Sequence, residues 1–180
     1  MEEELYGLYD RQIRLFGKGT QRLIEEARAA VIQGAPYVLG EGKRSSDIGG
    51  EILKNLVLLG VGEVTVNRHV ITSFKRMFVN EISKINEKIK VVVVDDEKAF
   101  KAWCEYALVI FIDHKEQSVS TSIFVCSKCM AFHPLGKSHL CKEYGNISAA
   151  HDCLLGAIIV QEWVKKLQGK PFVSEYQLKV

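Results

Sequence analysis

The sequence predicts an α/β domain built on a largely parallel sheet. Three observations carry that expectation. Short apolar segments alternate with helix-length amphipathic ones along the chain. Residues 91–94 are four consecutive valines, as in a strand buried on both faces. The 180 residues fit one domain of ordinary size.

The elements follow in order. A helical stretch leads into a strand at residues 29–33 (AAVIQ). Residues 47–60 (DIGGEILKNLVLLG) place Ile48, Ile52, Leu56 and Leu59 at helical spacing, and Gly60 and Gly62 stop the helix. Residues 63–67 (EVTVN) predict a second strand and 90–94 a third. Between them, 73–88 predict a helix with Phe74, Met77 or Phe78, Ile82 and Ile85 on one face. A short helix at 97–104, a strand at 107–112 (ALVIFI), a helix at 116–128 and a strand at 129–133 come next. Residues 135–146 carry the glycines and polar residues of a loop. A long helix at 149–167 ends at Gly169, Lys170 and Pro171, and the last nine residues (FVSEYQLKV) predict one more strand. One stretch breaks the rhythm. Residues 35–46 (APYVLGEGKRSS) stand where a strand turns into a helix, a connection of two to six residues in most α/β units.

Composition excludes several function classes. Lys plus Arg is 24 against 22 Asp plus Glu, so no basic stripe for nucleic acid is expected. The longest apolar runs, 91–94 and 107–112, fall far short of the roughly 20 residues of a membrane-spanning helix, so no membrane partner is expected. The acidic start, MEEELYGLYD, lacks the order of a signal peptide. Five cysteines, an odd number, argue against a disulfide framework and point to the nucleus or cytoplasm.

Three stretches carry a resemblance: YDRQIRLFG at 9–17, GGEILKNLVLLGVGEVTV at 49–66 and LLGAIIVQEWVKKL at 154–167. Together they resemble the adenylation domain of the ubiquitin-like-protein activating enzymes, a fold shared with bacterial enzymes of thiamine and molybdopterin synthesis. The resemblance implies a Rossmann-like, ThiF/MoeB-like adenylation fold, with a largely parallel sheet and helices on both faces. It implies a single adenylation-type domain over 1–180, with an atypical insertion at 35–46. At 135–149 the chain is short where relatives insert the catalytic-cysteine domain, so that insertion is absent here.

Eukaryotic members pair a catalytic half with a half that cannot adenylate alone, and this chain resembles the second. Active members cradle ATP phosphates with a GxGxxG-like loop. Here Gly34 and Gly49 stand fifteen positions apart where the motif allows five. Starting instead at Gly40-Glu41-Gly42 still requires an insertion before Gly49, whose remaining use is close helix-on-sheet packing. Asn67 occupies the place of the acid that holds the ribose hydroxyls. Asp113 lies one position before the expected magnesium acid, and its other reading is a strand-end Asp capping the next helix. Arg76 resembles a second family arginine. Gly34, Gly49, Asn67 and Arg76 are thus the remnants of a nucleotide site, with ATP and magnesium held by the partner subunit and no cofactor by this chain alone.

Arg11, in YDRQ, matches the arginine that reaches across the dimer to the partner's ATP, where a planar fork suits transferring phosphates. Its other reading, shared with Arg14, is an ordinary surface cation. The implied partners are the catalytic subunit of a heterodimeric activating enzyme and, through it, a ubiquitin-like modifier, SUMO ahead of Rub or ubiquitin. Alternatives are a homodimeric adenylating enzyme and, less well fitted, a nicotinamide-dependent oxidoreductase. An apolar face formed by 47–60 and 74–85 is expected to seat the partner, or a second copy in isolation.

Cys126-x-x-Cys129, followed by His133, His139 and Cys141, holds enough ligand types for a tetrahedral zinc. A single CxxC pair is a weak signal, and the family's zinc sites use two such pairs, so buried thiols and no metal are expected. Cys141 is the one thiol near the place of the family's catalytic cysteine. His151 and Asp152 are expected to cap the last helix.

Overall fold

Parallel strands carry the structure, a computed structural model that describes residues 2–34, 46–78, 81–95, 103–114, 122–135, 137, 141 and 147–179. β1 (Arg28–Gln33) runs parallel to β2 (Glu63–Asn67), and β2 to β3 (Lys90–Val94). On its other side β1 pairs with β4 (Leu108–Ile112), which pairs with β5 (Ser122–Cys126), both parallel. β6 (Ala131–Pro134) and the two-residue β7 (Tyr176–Gln177) close that end antiparallel, giving the order β3-β2-β1-β4-β5-β6-β7.

The helices are α1 (Glu2–Phe16), α2 (Lys18–Glu26), α3 (Ile48–Leu59), α4 (Arg68–Met77), α5 (Ile82–Ile85) and α6 (Ala149–Leu167). Successive strand residues point to opposite faces. Ala29 and Val31 therefore join α3, α4 and α6 in the main core, while Ala30 and Ile32 meet Tyr106, Val109 and Phe111 behind the sheet. The described α-helices that share the sheet's core all use the first face. The connections expected to give helices on the second face lie at 96–102 and 115–121, outside the described residues; Trp103–Glu105 is a single 3-10 turn.

Several expectations are corrected. Residues 122–126, expected in a helix, form β5, because their β-branched and aromatic run (SIFVC) pairs in register with β4, Val109 opposite Ser122. The helix expected at 73–88 starts at Arg68, capped by the Asn67 side chain, and breaks at Phe78, whose backbone is extended. β3 is not buried on both faces: it is an edge strand among the described residues, and Val93 is 49% exposed. β6 begins two residues late because Met130 adopts a left-handed turn (φ 50°).

Most of the apolar residues of the face expected at 47–60 are internal, although Leu58 is half exposed. Ile48, Ile52, Leu53, Leu56 and Val57 are fully buried, and Phe74 nearly so. α3 packs against the sheet, α4 and α6 at once, and a helix apolar around most of its circumference belongs in such a place.

Two glycines make the packing possible. At Gly50 an added Cβ would lie 2.7 Å from Phe74 N and 2.9 Å from its Cα, so α3 and α4 touch backbone to side. Gly60 (φ +81°) ends α3 in the left-handed region, and the ring of Tyr9 fills the space beside it. The Tyr9 hydroxyl accepts from Asn86 Nδ2 (2.7 Å), which also donates to the Val57 carbonyl (2.9 Å). Burial pushes the Tyr9 phenol above its ordinary value, with the Asn86 bond opposing. The YDRQ motif is thereby locked to the end of α3.

Gly50→Ala should lower stability by about 1–3 kcal/mol through overpacking. Gly19→Ala in α2, where nothing lies within 4 Å of the new methyl, should raise it; the gain expected is about 0.5 kcal/mol. Urea unfolding of the two variants checks the opposite signs.

Candidate functional site

Strand order reverses at β1, with β2 on one side and β4 on the other. In an open parallel sheet the crevice beyond the carboxyl ends at such a switch point receives the ligand. Most of the residues singled out by the sequence come to this corner, and each is engaged with protein.

Gly34 leaves β1 with its N–H on the Ile112 carbonyl (2.8 Å), and a Cβ there would lie 2.6 Å from the Asp113 carbonyl oxygen. Gly49, in the first turn of α3, faces the Gln33 side chain, with Val70 Cγ2 and Ile112 Cδ1 at 3.2 and 3.3 Å from an added methyl. It serves close helix-on-sheet packing, as the sequence suggested. Residues 35–45 between the two, with Gly40 and Gly42, lie outside the described residues.

Asn67 ends β2 buried. Its Nδ2 donates to the Gln33 carbonyl (2.8 Å), and its Oδ1 accepts from the Gln33 N–H (3.3 Å) and the Val70 N–H (3.4 Å). It ties β1 to β2 and caps α4. A carboxylate cannot donate, so the acid of active relatives cannot make this set of bonds.

Arg76 reaches from α4 to Asp47, whose Oδ1 accepts from Arg76 Nη2 (2.5 Å), Arg76 Nε (3.1 Å) and the Ser73 hydroxyl (3.2 Å). Asp47 precedes α3, and its N–H donates to Asp152 Oδ2 (2.9 Å). The Ser46 hydroxyl donates to Asp152 Oδ1 (2.7 Å). Asp152 is 1% exposed. It therefore also caps the N-terminus of α3, besides placing a negative charge in the first turn of its own helix. His151 also serves α6: its Nδ1 accepts from the Ser148 N–H (2.9 Å). Nothing in local spacing announces the Asp152 bridge, because its partners are 105 and 106 residues away.

Asp113 ends β4 in the left-handed region (φ 52°). Its Oδ1 accepts from the Ser127 N–H (2.8 Å) and its Oδ2 from the Ser127 hydroxyl. Both carboxyl oxygens thus hold the turn after β5; the segment it was expected to cap, 115–121, lies outside the described residues. Burial pushes the Asp113 carboxyl above its ordinary value, and the Ser127 bonds pull against it.

The described residues of this corner are turned to protein partners. Asn67, Arg76 and Asp113 are all committed to protein, and Gly49 is packed under Gln33, Val70 and Ile112.

Arg11 lies apart. It is exposed on α1 and makes no hydrogen bond or ion pair with the described residues, whereas Arg14 pairs with Asp10 (2.9 Å). Tyr9 and Gln12 fix the helix around it, the latter donating to the Leu58 carbonyl (2.8 Å).

A second cluster joins Cys126, Cys129 and Cys141, whose sulfurs all lie within 4.8 Å of one another, with 3.5 Å between Cys126 and Cys141. The Cys126 thiol beside it, and then burial, push Cys129 far up. Burial and Cys126 push Cys141 up to about 11, which removes it as a ready nucleophile. His133 is not part of the cluster; its Nδ1 lies 2.9 Å from the Pro134 carbonyl oxygen. His139 lies outside the described residues.

No family model matches the chain. Over 63 residues it is 38% identical to the DNA damage tolerance protein rad31 of Schizosaccharomyces pombe, a match spanning 35% of this chain and 17% of that protein. The structure resembles E. coli MccB solved with selenomethionine MccA: TM-score 0.63, 15% identity, 96% of this chain and 68% of that one. It also resembles E. coli tRNA N6-threonylcarbamoyladenosine dehydratase, TcdA, in complex with AMP: TM-score 0.59, 13% identity, 91% of this chain and 95% of that one. At such identities the likeness is one of fold. The fold is the ThiF/MoeB-like adenylation fold, an α/β architecture on a mostly parallel mixed sheet.

Asp113→Asn should be neutral or stabilising near neutral pH. The amide can keep both Ser127 bonds, Asn tolerates the left-handed backbone, and a desolvated charge is removed. The folded-state carboxyl of Asp113 is raised, so its contribution is fully present below the unfolded value and lost as pH climbs through the folded one. The variant should flatten that fall in stability from acid to neutral pH, as followed by thermal melts across the range. Asn67→Asp should cost roughly 1–3 kcal/mol at neutral pH, because the Gln33 carbonyl loses its donor. Protonation restores a donor, so the same variant should recover in mild acid when unfolded by urea.

Proposed function

We propose that the chain is the non-catalytic subunit of a heterodimeric ubiquitin-like modifier activating enzyme, of the SUMO type ahead of Rub or ubiquitin. It supports adenylation of the modifier by its partner, which holds ATP and magnesium, and it acts in the nucleus or cytoplasm. The observation that carries this reading is a contrast within one molecule. At its own switch-point corner Asn67, Arg76 and Asp113 are bonded to protein, while Arg11 stands exposed on α1 with no bond or ion pair among the described residues. In this reading that cation is free to act on a partner. The fold likeness to TcdA, whose structure contains AMP, and the partial identity to rad31 support the same reading.

The partner's seat is the side of α1. Leu8 and Leu15 are 54% and 73% exposed there, and Leu58 and Leu154 are about half exposed on α3 and α6. These helices border a groove lined by Gln12, Asn55, Leu58, Ala157 and Val160. Arg11 on the same helix would enter the partner's site as an arginine supplied in trans, stabilising charge on the transferring phosphate.

Arg11→Ala should leave the reconstituted heterodimer intact and slow modifier adenylation. Loss of a charge-assisted phosphate contact costs roughly 1.5–3 kcal/mol, on the order of tenfold to a hundredfold in rate. Arg11→Lys should recover little, because a point charge does not reproduce the planar fork. Arg14→Ala, which removes only an exposed pair with Asp10, is the control. Equal small effects in an ATP–pyrophosphate exchange assay would reduce Arg11 to a solvated surface charge. Modifier-dependent exchange by the purified chain alone would favour a homodimeric enzyme instead.

A further inference from the structure

The cysteine cluster has no part in that function, and its geometry asks for one. Three sulfurs from separate points of the chain converge: Cys126 from the end of β5, Cys129 from the turn after it, and Cys141 from beyond β6. Four sulfurs bound at about 2.3 Å in a tetrahedron stand roughly 3.8 Å from one another. The observed 3.5 Å between Cys126 and Cys141, with every pair inside 4.8 Å, brackets that edge length.

We propose that Cys126, Cys129 and Cys141 form a three-thiolate site for a zinc ion. Sulfur donors at tetrahedral spacing select a soft or borderline cation and disfavour magnesium or calcium. Among the described residues no imidazole or carboxylate joins the three, and His139 lies outside the described residues. This ligand set differs from the two CxxC pairs of the family's zinc sites.

The surroundings hold the donors in place. Cys126 is fixed by the β5–β6 ladder, opposite Ala131. Cys129 is fully buried. Ser127, between them, is clamped by Asp113 through both its N–H and its hydroxyl. Asp113 thus serves as a positioning residue for the turn, the kind of outer support that orients metal ligands. Cys141 is exposed, which gives an ion its way in. Bound zinc would pin the segment carrying Cys141 to the β5–β6 hairpin.

The test uses the full chain, purified under reducing conditions with zinc as the probe. Elemental analysis should find about one equivalent of zinc, falling below about a tenth in Cys141→Ser, since a site cut to two thiolates holds the ion poorly. Cys141 is exposed, so this variant should fold normally, as circular dichroism will show. Cys104→Ser and Cys153→Ser, at exposed cysteines outside the cluster, should keep the full equivalent. Cobalt exchanged into the site should give tetrahedral visible bands and a sulfur-to-metal charge-transfer band that weakens in Cys141→Ser. Alkylation should spare all three cluster cysteines in the loaded protein and reach Cys141 once a chelator is added. Zinc retained in full by Cys141→Ser, iron in place of zinc, or a Cys126–Cys141 disulfide in freshly purified protein would each overturn the proposal.

Discussion

The seat of α3 is the constraint on which the rest of the molecule depends. Its first turn lies on the sheet through Gly49, its flank meets the backbone of α4 at Gly50, and Gly156 brings α6 to within 3.2 Å of Glu51 Cβ from a methyl's position. Three close approaches on one helix leave no room for side chains at those points, so small residues there set the distances between layers. Fixing α3 also fixes its two ends. The N-terminus delivers Asp47 to the switch point of the sheet, and the C-terminus, turning at Gly60, supplies the socket for Tyr9.

From those two ends come two opposite electrostatic outcomes. At the N-terminus, Arg76 meets the Asp47 carboxylate and the Asp47 N–H meets that of Asp152, so the charges there are met within the chain. At the C-terminus, Tyr9 holds α1, on which Arg11 is exposed with no ion pair among the described residues. A helix docked through a buried ring can present a cation without tying it down. The same rigidity that fills one corner of the molecule leaves a charge available at the other.

Much of this was legible in the sequence. The strands at 63–67 and 90–94 and the helix at 149–167 emerge with the expected bounds, because each has a single strong pattern and a clear stop. Where two patterns competed, tertiary pairing decided. Residues 122–126 satisfy helical spacing, but β4 offers them a strand partner, and four valines look doubly buried until the strand order places them at an edge. In the site, the role of Gly49 followed from its place in the resemblance to a glycine motif, and close packing is what the structure shows there. The bonds of Asp152 to the start of α3 and of Asp113 to Ser127 were not legible. Each joins groups that only the finished fold brings together, and a carboxylate in a sequence carries no sign of which donor it will meet.

The bridge from Asp152 to Ser46 and Asp47 also dictates an order of assembly. Contacts of high sequence separation form late, since the intervening chain must be ordered before they contribute. Here the cap of α3 is supplied by a helix 105 positions further along. During synthesis from the N-terminus, β1, α3 and β2 emerge well before α6 exists. Until then the Asp47 N–H and the Ser46 hydroxyl lack their Asp152 partner, and the start of α3 rests on local bonds alone, such as Ile48 N–H to Ser46 Oγ. The last helix is therefore the keystone of a corner whose other pieces are laid down first, and the nascent chain passes through a stage in which that corner stands without its bridge.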